Sequence, residues 1–134
     1  METISTVYLG ELRTEATHLK SGVKLISDAP PDNQGKGESF SPTDLLATSL
    51  GSCMATIMGI AARTHQMDID GTKIRITKVM ASNPRRVSEI HVEFDMPRSN
   101  YSDKEKKLLD HAARTCPVAL SLHPEIRQLV KFNY

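Results

Sequence analysis

Ser41-Pro42-Thr43-Asp44-Leu45-Leu46-Ala47-Thr48-Ser49-Leu50-Gly51-Ser52-Cys53 decides the fold, because it reads as the opening of one long helix. Ser41 is a natural N-cap, since its hydroxyl can accept one of the unpaired N–H groups of the first turn. Pro42 follows at the first helical position, where a missing N–H costs nothing. Asp44 puts a carboxylate three residues after the cap, at the positive end of the helix. From there Leu46, Leu50, Cys53, Ile57 and Ile60 recur at steps of four and three, which draws an apolar stripe down to about Arg63. Apolar residues also lie off that stripe, at Leu45, Ala47, Met54, Met58 and Ala61. A helix of about 20 residues is ~30 Å long. Apolar on most sides, it needs more cover than one sheet provides, and a second subunit is a natural source.

Upstream, the run ISTVYLG ending at Gly10 is rich in β-branched and aromatic residues, and a polar-apolar run from Glu11 to Thr17 follows it. The pair predicts a hairpin. Ser21-Gly22 marks the next turn, and Val23 to Ile26 reads as a third strand ending at Asp28. Ala29 to Glu38 (APPDNQGKGE) then has the Pro, Asn, Asp and Gly content of a surface loop. Downstream of Asp70-Gly71, Thr72 to Met80 alternates apolar with charged residues, and Val87 to Phe94 repeats the pattern after Asn83-Pro84. These are two half-exposed strands. Ser102-Asp103-Lys104-Glu105 opens another helix with Leu108, Leu109, Ala112 and Ala113 on its buried face. Cys116-Pro117 interrupts it, because proline disfavours the α conformation at the preceding residue. A short helical stretch to about His123 and a strand from Ile126 to Phe132 complete an α+β pattern, read as one domain over residues 1–134.

Composition narrows the function. The 134 residues are 39% hydrophobic and 25% charged, which excludes collagen, coiled coil and wholesale disorder. Lys and Arg number 17 against 16 Asp and Glu, so no one-signed field steers the chain onto nucleic acid or an anionic bilayer. Thr48, Ser49, Ser52 and Thr56 interrupt the longest apolar stretch, and no basic segment with a cleavable apolar core opens the chain. Neither a membrane span nor a signal peptide is expected, and the expected compartment is the cytoplasm.

Only Cys53 and Cys116 carry thiols. In a reducing compartment they are free, or they form a working redox pair. Cys53, near mid-helix, reads either as a small core residue or as a nucleophile that needs a nearby cation. Cys116 reads as an N-cap of the following helix, where exposed N–H groups favour a thiolate, or as a space-filler at a helix junction. Sequence separation alone does not say whether the two approach. His18, His65, His91, His111 and His123 are scattered without metal-ligand spacing, and no phosphate-binding glycine motif is present, so no metal or cofactor is expected.

Taken together, the helix opening through Cys53 and the later Cys116-Pro117-Val118 resemble the OsmC/Ohr superfamily of thiol-dependent peroxidases, closest to its YhfA-like branch. The resemblance spans nearly the whole chain. It implies antiparallel sheets around a long central helix, an intertwined homodimer, and two active sites at the subunit interface. It also implies reduction of organic hydroperoxides: Cys53 attacks the peroxide, Cys116 resolves the product as a disulfide, and an external dithiol restores both thiols. In the family an Arg held by a Glu keeps the first thiolate charged, and Arg13 is the candidate for that Arg. The Glu would follow Pro42, but that position is Thr43, with Asp44 one residue later. Asp44 either substitutes as the clamp or serves only as a capping residue. It lies nine residues from Cys53, ~13 Å along a straight helix and on the opposite face. Cooperation between them would have to cross the dimer or pass through a bent loop and Arg13. The missing Glu supports an alternative, a non-catalytic redox sensor or binder of small hydrophobic ligands on the same fold.

Overall fold

A computed structural model describes all residues, 1–134. The chain divides into two compact units, Met1–Leu46 and Ala47–Tyr134, with the long helix beginning in the first and continuing in the second.

The first unit is a three-stranded antiparallel sheet of β1 (Ile4–Gly10), β2 (Arg13–His18) and β3 (Lys24–Asp28), in that order. Its first turn is tight. Gly10, Glu11 and Leu12 all take positive φ, and the register shifts between Tyr8 and Gly10. From the Ser21-Gly22 turn outward, Thr17 faces Lys24 and Arg13 faces Asp28. The segment after β3 makes a 3-10 turn over Pro31–Asn33, and Phe40 bridges back to Ser27. Few residues of this unit are buried: Ser27, Asp28 and Ser41 are, whereas Ile4, Val7, Tyr8, Leu9 and Val23 are exposed.

Helix α1 spans Pro42–Thr64. Its start is the reciprocal cap expected from the residues: Asp44 N–H donates to Ser41 Oγ, and Ser41 N–H donates to the Asp44 carboxylate. By length and a mean hydropathy of 1.7 it could cross a bilayer, a test that the core helix of a soluble protein passes equally.

In the second unit α1 packs on β4 (Lys73–Ala81), which pairs antiparallel with β5 (Arg86–Asp95). The buried residues of α1 are Ala47, Leu50, Gly51, Met54, Met58 and Ala62. This corrects the expected stripe. Cys53 and Ile57 are only half-buried, and Ile60 is exposed. The reason is Gly51: a Cβ there would meet Ile76 Cδ1 at 2.5 Å, so the bare glycine lets the backbone settle on β4. That close approach turns the small-residue side of the helix inward. Cys53 is one residue, about 100° of helix rotation, from fully buried Met54.

Helix α2 (Asp103–Arg114) starts with a capping box between Ser102 and Glu105 and buries Leu109, Ala112 and Ala113. Helix α3 (Pro117–Ser121) follows at once, and β6 (Arg127–Asn133) closes the sheet. β6 runs parallel to β5, a departure from an all-antiparallel expectation. The two helices between them supply the crossover that parallel neighbours require. The result is an α+β fold with one antiparallel and one mixed sheet. Val87, Ile90, Val92 and Phe94 face the core, and Phe94 stacks on Phe132 at 5.0 Å.

Candidate active site

Both thiols belong to the second unit, and they meet. Cys53 lies beside Cys116, near enough to raise the Cys116 pKa, and no disulfide joins them. Cys53 is half-buried on α1 and Cys116 fully buried.

Cys116 holds its place by local chemistry. It is the N-cap of α3, with Pro117 at the first helical position and its Sγ accepting the Ala119 N–H at 3.3 Å. The cap expected from Thr115-Cys116-Pro117 is therefore present, but its electrostatic consequence is reversed. Burial pushes the thiol pKa up, and the Ala119 and Val118 N–H groups pull against it without prevailing; the neighbouring Cys53 adds to the rise. A thiolate draws most of its stability from solvation or full-strength donors, and one N–H at sulfur distance does not replace the lost water. Cys116 is thus the more deeply buried thiol, with its proton held more firmly than an ordinary thiol's, and Cys53 is the more exposed of the two.

The first unit places the remaining expected residues. Arg13, on β2, makes a two-pronged ion pair with Asp28 across the β2–β3 ladder: Nε donates to Oδ1 at 2.7 Å and Nη2 to Oδ2 at 2.9 Å. The Glu38 carboxylate lies 3.8 Å from the same Nη2. The hydrogen bond to Asp28 pushes the Arg13 pKa above its ordinary value, and the same bond pulls Asp28 below its own. Asp44 takes the Ser41 N–H as a helix cap, and the Thr43 hydroxyl lies 3.2 Å from Ser41 Oγ.

Asp28 is the residue that sequence reasoning missed. It was legible only as the end of a strand. Counting register back from the Ser21-Gly22 turn would have set it opposite Arg13, since side chains directly across an antiparallel pair are 4.5–5.5 Å apart at Cβ, roughly. A separate cavity of about 540 Å³ lies at the far end of α1, lined by Thr56, Ile60, Arg63 and Met67 among others and by neither cysteine.

Residues 35–128 match the family described as OsmC-like protein. No curated protein matches the chain. Among solved structures, a Psychrobacter arcticus protein named for osmotic stress induction and a detoxification response is 55% identical over 99% of this chain and 96% of its own, with a TM-score of 0.96. An OsmC like protein from Mycoplasma pneumoniae is 20% identical over 97% of this chain and 94% of its own, at TM-score 0.79. The organic hydroperoxide resistance protein OsmC of Legionella pneumophila is 13% identical over 100% of this chain and 98% of its own, at 0.78. These last two share the fold.

Proposed function

Because the chain belongs to the OsmC-like protein family, we propose that its redox stress-response role is carried out as a thiol-dependent peroxidase acting on organic hydroperoxides. The observation that supports this reading is the proximity of Cys53 and Cys116, two thiols far apart in sequence and neighbours in space.

The Cys53 thiolate attacks one oxygen of the peroxide. An S–O bond forms to the terminal oxygen, the O–O bond breaks, the alkoxide leaves and takes a proton from solvent to become the alcohol, and Cys53 becomes a sulfenic acid. Cys116, as thiolate, then attacks the Cys53 sulfur; the S–S bond forms and water departs. Burial of Cys116 supports this order, because it raises the thiol's pKa and keeps that sulfur from meeting the peroxide first. An external dithiol reduces the disulfide and resets both thiols.

The working unit is a homodimer in the cytoplasm. Support comes from the first unit: Ile4, Val7 and Tyr8 of β1 are 58%, 56% and 63% exposed, and Leu9, Val23 and Phe40 are exposed with them. A sheet with so many uncovered large apolar side chains is the surface of an interface.

The test is single-turnover oxidation by cumene hydroperoxide, followed by mass spectrometry. The wild type is expected to yield an intramolecular Cys53–Cys116 disulfide. Cys53→Ser is expected to abolish peroxide consumption, and Cys116→Ser to allow one turnover and accumulate sulfinic acid. Full single-turnover activity in Cys53→Ser would overturn the assignment. A wild-type protein inert to the peroxide would favour the sensing or ligand-binding alternative.

A further inference from the structure

We propose that Gln128 is the positioning residue for Cys116, the thiol that closes the disulfide in the peroxidase reading above, on which this role rests. Every group involved lies in the second unit. Gln128 is the second residue of β6 and pairs with Ile90 of β5. Side chains alternate along a strand, so Gln128 shares a face with Val130 and Phe132. The partners of these three across the ladder are Ile90, Val92 and Phe94, all fully buried. The inner face of β6 therefore carries an amide where the pattern calls for an apolar side chain.

That amide reaches α3. Gln128 Nε2 donates to the Ala119 carbonyl at 3.0 Å, and the Ala119 N–H donates to Cys116 Sγ at 3.3 Å. A single peptide residue is thus held through its carbonyl by the strand and, through its N–H, holds the sulfur. Ala119 is also the one buried residue of α3.

Helix α3 depends on this anchor. It has five residues, little more than one turn, and a helix so short is not stable on its own. Pro117, Leu120 and Ser121 are exposed, so only Ala119 and, in part, Val118 face the interior. The Ala119 carbonyl belongs to the last turn, whose carbonyls lack a helical N–H. Gln128 supplies the missing donor from another element. The Cys116 backbone is extended at the cap, and the bond from Ala119 sets where its sulfur points. Disulfide closure demands a narrow range of distance and direction between the two cysteines. Freeing α3 from β6 therefore slows the attack of Cys116 on the Cys53 sulfur and leaves the first attack on the peroxide unchanged.

The experiment uses the full chain as wild type, Gln128→Met, which keeps the length and removes the donor, and Gln128→Glu, whose carboxylate faces the carbonyl as a second acceptor. Reduced protein is mixed with cumene hydroperoxide, and loss of the Cys53 thiol and appearance of the disulfide are timed separately, with dimedone trapping the sulfenic acid. Both variants are expected to form sulfenic acid at the wild-type rate, to close the disulfide about fivefold more slowly or worse, and to give more dimedone adduct. Gln128→Glu decides the matter if Gln128→Met does not fold. A second assay omits peroxide. Ellman's reagent converts Cys53 to a mixed disulfide with release of one thionitrobenzoate; Cys116 then attacks the Cys53 sulfur and expels a second. The first release is expected to be unchanged in the variants and the second slowed to the same degree as closure after peroxide. Wild-type closure rates in either folded variant would overturn the proposal, as would equal slowing of both steps, which marks general loosening of the fold. Should the wild type consume no peroxide, the peroxidase reading falls, and the second thionitrobenzoate release still decides whether Gln128 positions Cys116; its absence from the wild type would overturn that as well.

Discussion

Two neighbouring thiols differ in burial, with Cys53 half-buried and Cys116 fully buried. Cys116 is fully buried, and burial outweighs the helix N-terminal donors in setting its pKa above the ordinary thiol value. Iodoacetamide at pH 8 is therefore expected to label Cys53 at least ten times faster than Cys116, with Cys116 labelled fully only after denaturation. Peptide mass mapping checks this, and equal labelling would contradict the assignment of roles. The cap at Cys116 was legible in Thr115-Cys116-Pro117, since proline and capping rules are local. The net direction of its pKa was not, because that depends on what covers the sulfur. Asp28 shows the same limit: its identity was in plain view, but its partnership with Arg13 exists only through strand register.

Among the elements, α1 is positioned by a missing side chain. Gly51 lets the helix approach β4 until a Cβ would stand 2.5 Å from Ile76 Cδ1 and 3.0 Å from its Cγ1. Gly51→Ala is expected to be close to neutral, because a helix-propensity gain of ~1 kcal/mol offsets the displacement of a flexible side-chain end. Gly51→Val adds two further methyls on a β-branched frame and is expected to cost about 1–3 kcal/mol by overpacking. Urea denaturation of both variants checks the contrast. The outer face of the second sheet makes a pH prediction. Arg75 grips Asp95 with Nε at 2.8 Å and Nη2 at 2.9 Å, and Asn133 donates to the same carboxylate. The Arg75 hydrogen bond, followed by that of Asn133, holds the Asp95 pKa down at about 2, against an ordinary 3.8. A depressed carboxylate stabilises the fold fully above its unfolded pKa and loses that contribution as pH falls through its folded one. The loss from this group thus falls between pH 3.8 and about 2. Asp95→Asn is expected to lack that component of acid sensitivity in a pH series of thermal melts. Helix and strand positions were legible from periodicity to within a residue or two, as Ser102 and Glu105 show with their capping box. The buried face of α1 was not, because hydrophobic spacing put Leu46 and Ile60 on the stripe and left the buried Ala47 and Met58 off it.

At the scale of the whole molecule, the proposed homodimer would cover the exposed apolar side chains of β1. The chain is 14.8 kDa, and sedimentation equilibrium is expected to give twice that mass. Ile4→Asp/Val7→Asp would place two charges on exposed positions of β1 and is expected to shift the protein toward monomer while leaving the backbone hydrogen bonds of the sheet intact. A monomeric wild type at micromolar concentration would contradict the dimer. By itself, the sequence determined the order and ends of the strands and helices, the caps, the α+β class and the two thiols, because those follow from short-range periodicity, turn chemistry and residue type. Only the tertiary structure decided that the thiols meet, that Cys116 is the buried one, that β6 joins in parallel, and that Arg13 is held by Asp28. Those are facts about packing between segments distant along the chain, where burial and register, rather than local preference, set the free energy.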